Sequence, residues 1–220
     1  MKQIYSLAVL LLFSFFASAQ QPSSADTGEV NPGKQLIILQ TSDTHSRIEP
    51  ISPEAADDYA GMGGAVRRSS FIKEIRSKHP DVLLFDCGDI SQGTPYYNLF
   101  QGEVEIKMMN LMKYDAMTIG NHEFDFGLDN MARLFRMANF PVVCSNYDVT
   151  GTVLEGLVKP YIILERSGVR IGVFGLAPRM EGLVQADKCE GIVYNNPIEV
   201  GQEMADFLKL EKNCDVVICL

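Results

Sequence analysis

Apolar runs and polar stretches alternate regularly along this chain. Residues 36–40 (LIILQ), 82–85 (VLLF), 116–119 (AMTI) and 142–144 (VVC) are short apolar runs. Bounded by turn residues, runs of this length read as buried strands. Segments with helical spacing lie between them. Residues 65–78 predict a helix that follows Gly63-Gly64 and stops at His79-Pro80, since the residue before proline is biased out of the helical region. Residues 101–113 predict a second helix with Val104, Met108 and Leu111 as its apolar stripe, and residues 128–138 a third. Residues 161–165 and 169–176, joined by Arg166-Ser167-Gly168, predict a hairpin. Asn196-Pro197 with Glu199 marks another helix start, in which Asn caps, Pro takes the first helical position and Glu reaches back to the cap amide. That helix is expected to end near residue 212, and residues 215–220 (DVVICL) predict a last buried strand. Strands alternating with helices predict a layered α/β domain.

The ends and the bulk properties refine this picture. Lys2, the apolar residues 7–16 and Ala17-Ser18-Ala19 make residues 1–19 a signal peptide. Its apolar core is too short for a good membrane span, so the mature protein is expected to be exported, without a membrane anchor, to a Gram-negative periplasm. Residues 20–35, rich in Ser, Pro and Gly, read as a flexible leader, and residues 36–220 as the folded domain. The 220-residue chain carries a net charge of −9, which excludes a general nucleic-acid binder built on a basic stripe. Five cysteines leave at least one thiol unpaired. Cys87, Cys144 and Cys219 lie in or beside apolar runs and are expected to be small buried hydrophobes, while Cys189 and Cys214 are free to pair. No C-x-x-C occurs, which disfavours a thiolate zinc site.

The chemistry gathers just past three of the predicted strands. Asp43-Thr44-His45 follows the first, Gly88-Asp89 the second and Gly120-Asn121-His122-Glu123 the third. In an open α/β sheet, loops at the C-terminal strand tips share one crevice. Asp43 and His45 are two apart, so on an extended segment both side chains face one way and grip one divalent ion. A carboxylate at Asp89 is able to bridge two ions, one oxygen to each. Asn121 offers a neutral oxygen ligand. His122 points away from Asn121, which suits an outer role, and Asp125 holds its imidazole by a hydrogen bond. Arg67-Arg68 are expected on an exposed helix face, and Tyr96, Tyr97 and Phe100 in core packing at a helix start.

The segments TSDTH, GMGGAVRR, CGDISQGTPYYNLF, MNLMKYDAMTIGNHEFDFG, FPVVCSNYD and VRIGVFGLA together resemble the calcineurin-like metallophosphoesterases. They are most similar to the amino-terminal domain of exported 5'-nucleotidases. The resemblance implies a layered α-β-β-α domain and two divalent metal ions (Zn, Mn, Fe or Co). It implies Asp43 and His45 on the first metal, Asp89 bridging both and Asn121 on the second. It gives His122 and Asp125 catalytic roles, as electrophile or proton donor and its partner. The implied reaction removes phosphate from nucleoside 5'-monophosphates, or from another small phosphate ester, through a metal-bridging hydroxide. A 2',3'-cyclic-nucleotide phosphodiesterase or a UDP-sugar hydrolase uses the same metal core.

The resemblance also implies later ligands, a histidine in a Ser-His pair and a Gly-His-x-His-like segment. The histidines here are His45, His79 and His122, and His79 is expected at the end opposite the strand tips. The expectation is therefore a domain incomplete at its C-terminal end, with a separate or missing nucleotide-binding domain and with activity of its own in question. A non-catalytic metal-binding or partner-binding fragment is the competing expectation.

Overall fold

The computed structural model describes residues 35–56 and 58–220. The signal peptide and nearly all of the leader lie outside these residues. Four strands, β1 (Ile38–Thr41), β2 (Leu83–Asp86), β3 (Ala116–Met117) and β4 (Val142–Val143), line up in chain order, and β6 (Val158–Lys159) joins at the edge. Every pairing in this five-stranded sheet is parallel. Parallel neighbours need crossovers. Helix α1 (Ala65–Lys78) lies between β1 and β2, helices α2 (Pro95–Phe100) and α3 (Glu103–Met112) between β2 and β3, and helix α4 (Gly127–Met137) between β3 and β4. All three crossovers return the chain so that the β1, β2 and β3 tips open on the same edge.

A second sheet is built from the expected hairpin. Strands β7 (Tyr161–Arg166) and β8 (Val169–Phe174) pair antiparallel, and β10 (Val216–Cys219) pairs parallel to β8. The turn is Ser167-Gly168, both with positive φ (51° and 67°), which matches the twist of the flanking strands. A third, two-stranded sheet joins β5 (Tyr147–Asp148) to β9 (Val193–Tyr194). Neither of these two-residue strands, nor β6, is legible from periodicity.

Alternation along the strands assigns the layers. Leu83, Phe85 and Ala116 of the first sheet pack with Val169, Ile171 and Val173 of the second, while Ile162, Leu164, Val216 and Ile218 close the same core. Their neighbours along each strand turn the other way. Leu84 and Met117 join Ile72, Ile106, Met109, Met131 and Leu134 beneath the helices of the first sheet. Phe174, Tyr161, Ile163 and Val217 pack with Leu208, Met204 and Phe207 on the far side of the second. The last set belongs to helix α5 (Pro197–Asp206) and the π-helical turn Phe207–Glu211 that extends it. The order is therefore α-β-β-α, as expected.

Three local expectations need correction. Residues 101–113 are not one helix from the start: Gln101 and Gly102 take left-handed backbone (φ 52° and 91°) and separate α2 from α3. The buried stripe of α3 is Ile106, Met109 and Met112, whereas Leu111 is 81% exposed. Val104, Ile106, Met108, Met109, Leu111 and Met112 surround most of this helix, so period alone leaves its inner face undecided. At α5 the Asn196 side chain accepts from Ile198 N at 3.0 Å, but Glu199 accepts from the Asn196 side-chain amide nitrogen rather than from the cap backbone. All five thiols are free among the described residues, and Cys219 is exposed while Cys214 is buried.

Asn146, fully buried after β4, ties the two sheets together. Its Oδ1 accepts from Ala177 N at 2.8 Å and its Nδ2 donates to Ala177 O at 2.9 Å. Truncation strands both backbone groups of Ala177 away from water. Asn146→Ala is expected to cost about 2–4 kcal/mol in urea unfolding. A loss under about 0.5 kcal/mol would mean that Ala177 finds other partners.

Candidate metal centre

The strand ladder continues past the strand ends and carries three loops with it. Asp43 N donates to Gly88 O at 3.0 Å, His45 N to Asp89 O at 3.1 Å and Ser46 N to Ile90 O at 2.8 Å. The first loop is thereby fixed to the second. The sequence suggested an extended segment at Asp43–His45, but Asp43 and His45 have φ of 52° and 44°, and Asp89 has φ of 55°. Left-handed backbone is unfavourable for residues with a Cβ and collects at functional loops. Their side chains nonetheless converge. One ligand atom each from Asp43, His45 and Asp89 lie within 4.8 Å of one another. His45 Nε2 is 3.7 Å from Asp43 Oδ1.

The second and third loops cross at two glycines. A Cβ on Gly88 would lie 2.4 Å from Gly120 N, and one on Gly120 would lie 2.2 Å from Asp89 Oδ1. Only a missing side chain permits this approach. His122 N then donates to Asp89 Oδ1 at 2.8 Å. The His122 ring stands edge-on to His45, with centroids 5.2 Å apart. His122 Nδ1 is 3.0 Å from Asp125 Oδ2, as the sequence suggested. Asn121 is half-buried at the start of the 3-10 turn His122–Phe124, between Gly120 and His122. His79 caps the end of α1, between that helix and β2 and remote from the strand tips.

Two buried carboxylates support these loops, and neither was singled out from the sequence. Glu123 Oε2 accepts from Asp89 N at 3.0 Å and Gly120 N at 2.5 Å, while Oε1 accepts from Ile90 N at 2.9 Å. Burial, then the charge of Asp89, pushes its pKa up to about 7 against those three amides. Asp86 ends β2: Oδ2 accepts from Thr41 Oγ1 at 2.6 Å and Oδ1 from Gly88 N at 2.9 Å. Burial pushes Asp86 up to about 6, opposed by the Thr41 hydroxyl, Gly88 and the nearby Arg68. The signal for Asp86 was a carboxylate ending an apolar run. Arg68 is thus turned partly inward, while Arg67 is exposed and donates to Gly61 O. Tyr97 is also not core filler, since its hydroxyl donates to Asp125 Oδ2 at 2.7 Å.

Comparison with known proteins places this arrangement. Residues 36–220 match the family model of the calcineurin-like phosphoesterases. The chain belongs to that family. It is 40% identical over 150 residues to the snake venom 5'-nucleotidase of Crotalus adamanteus, covering 64% of this chain and 25% of the relative. It is 33% identical over 182 residues to the 5'-nucleotidase of Homo sapiens, covering 80% of this chain and 32% of the relative. The crystal structure of a 5'-nucleotidase precursor from Thermus thermophilus superposes with a TM-score of 0.76 at 30% identity, covering 84% of this chain and 36% of that one. The phosphoesterase chain thus spans a quarter to a third of the length of the curated relatives it matches.

Calcineurin-like phosphoesterases use divalent metals, and the donor set here suits them: carboxylate and imidazole atoms at ligand spacing, with no thiolate.

The glycine crossing gives one prediction. Gly120→Ala is expected to lower zinc affinity at least about tenfold by calorimetry, because Asp89 must move; unchanged affinity would show the crossing to be loose. Asp86 gives a second. Its folded pKa lies above its ordinary 3.8, so as pH rises the unfolded chain releases this proton first. The stabilisation is full below about pH 4 and is lost towards about pH 6, by up to roughly 3 kcal/mol. The metal-free wild type should lose stability over that window relative to Asp86→Asn; parallel pH curves for the two would contradict this.

Proposed function

We propose that this domain hydrolyses phosphate monoesters, with nucleoside 5'-monophosphates as the substrate class. The supporting observation is the convergence of Asp43, His45 and Asp89 beside the His122–Asp125 pair. The names of the three relatives, all 5'-nucleotidases, support the substrate class.

In this reading Asp43 and His45 would hold one divalent ion, Asn121 would hold a second and Asp89 would serve both. The hydrogen bond from His122 N to Asp89 Oδ1 would hold that carboxylate in place for this role. Two bound divalent ions supply Lewis-acid charge to the phosphoryl oxygens and make water a better nucleophile at neutral pH. His122, turned towards His45, places its free ring nitrogen at the phosphate and donates a proton to the departing oxygen. Asp125 orients the imidazole through its contact with Nδ1. A cavity of about 320 Å³ adjoins this pair, lined in part by Tyr97, Phe124, Leu183 and Lys188, and gives the leaving group room. Discrimination between a nucleotide, a 2',3'-cyclic nucleotide and a UDP-sugar falls to the part of the relatives beyond the matched third. Residues 1–19 direct export to the periplasm, and among the described residues no helix is long and apolar enough to cross a membrane.

Metal analysis and turnover test this together. The protein is expected to hold about two divalent ions per chain and to release phosphate from AMP faster than from a cyclic nucleotide or UDP-glucose. Asp89→Asn should lose at least about one ion and most turnover. His122→Ala should keep its metal and lose roughly 10²–10⁴-fold in kcat. A metal-free chain without turnover would support the non-catalytic fragment instead.

A further inference from the structure

The hydrogen bond from Tyr97 to Asp125 reaches across the site from an element with no ligand of its own. Tyr97 lies in α2, which the chain enters after leaving the Asp89 loop. Its hydroxyl donates to Asp125 Oδ2 at 2.7 Å, and that same oxygen lies 3.0 Å from His122 Nδ1. An ionised carboxylate only accepts, so both neighbours are its donors. The Tyr97 ring lies against Phe126, with centroids 4.8 Å apart, so packing aims the hydroxyl. Tyr96, its neighbour in sequence, sends its hydroxyl to Glu49 at 3.0 Å instead.

The Tyr97 bond holds the Asp125 carboxylate where Oδ2 accepts from Nδ1; without it the carboxylate is free to turn away from the imidazole. With Tyr97 in place, the carboxylate faces Nδ1 and the imidazole proton stays there. Nε2 is then the nitrogen left for another partner. His122 and Asp125 are partly screened from solvent, at 22% and 26% side-chain exposure, so water competes only in part for these contacts.

We propose that Tyr97 is a positioning residue: through Asp125 it fixes the proton of neutral His122 on Nδ1, which leaves Nε2 as the nitrogen that takes up a second proton and, in the charged form, gives it to the departing oxygen of the substrate. The use of that nitrogen rests on the phosphomonoesterase reading, whereas the tautomer does not. Burial first, and then the bond to Asp125, raise the phenol above its ordinary pKa, so Tyr97 remains a donor at neutral and mildly alkaline pH.

The chain has three histidines, so ring-nitrogen correlation spectra of the ¹⁵N-labelled full chain at about pH 8, where histidine is ordinarily neutral, separate each one. The His122 signals are identified by their loss in His122→Gln. The wild type is expected to show His122 mainly as Nδ1–H. Tyr97→Phe keeps the ring against Phe126 and should shift the tautomer ratio towards Nε2–H by about threefold or more, the equivalent of part of one hydrogen bond. Tyr96→Phe should leave the ratio unchanged. An Nε2–H majority in the wild type overturns the proposal without reference to any variant, as does an unmoved ratio in Tyr97→Phe. The spectra require no turnover, so failure of the phosphomonoesterase reading shows separately, as absent phosphate release from AMP by the metal-loaded wild type.

Discussion

Everything at this site depends on how closely two loops approach. Gly88 and Gly120 let the backbones after β2 and β3 come into contact where any side chain would hold them apart. Glu123 then holds the approach shut by taking three backbone amides, two from one loop and one from the other. A buried carboxylate with three donors is well satisfied, though the desolvation it suffers remains large enough to raise its pKa. Asp86 does the same on the other side, joining β1 to the Asp89 loop through Thr41 and Gly88. Asp43, His45 and Asp89 meet because these two buried carboxylates hold the backbone beneath them.

The layers explain why the loops can be so irregular. Each strand sends alternate residues into the inter-sheet core and beneath the helices, as Phe85 and Leu84 do from adjacent positions. Such strands are fixed in register, because a slip of one residue would exchange the two faces. Rigid strands ending on one edge let the segments beyond them adopt costly backbone without disturbing the core.

Much of this was legible in the sequence, because it is written in the properties that the sequence states directly. The α-β-β-α order followed from apolar runs alternating with helical spacing together with the family resemblance, and Asp43, His45 and Asp89 stood out as polar groups placed just after buried runs. The inner face of α3 was not legible, because Met108 and Leu111 are as apolar as Met109 and Met112; only the neighbouring helices distinguish them. Glu123 was missed because its partners are backbone amides, which every sequence contains, and Asp86 because it meets one amide and the Thr41 hydroxyl, 45 positions earlier in the chain. Tyr97 was misread for a related reason: its ring does pack, but its hydroxyl meets a carboxylate 28 positions later in the chain.

The left-handed backbone at Asp43, His45 and Asp89 sets two demands against each other. Each such conformation costs on the order of 1–2 kcal/mol for a residue with a Cβ. Glycine at any of the three would relieve that cost and remove the donor atom with it, so at these positions the chain gives up stability to keep a carboxylate or an imidazole in place.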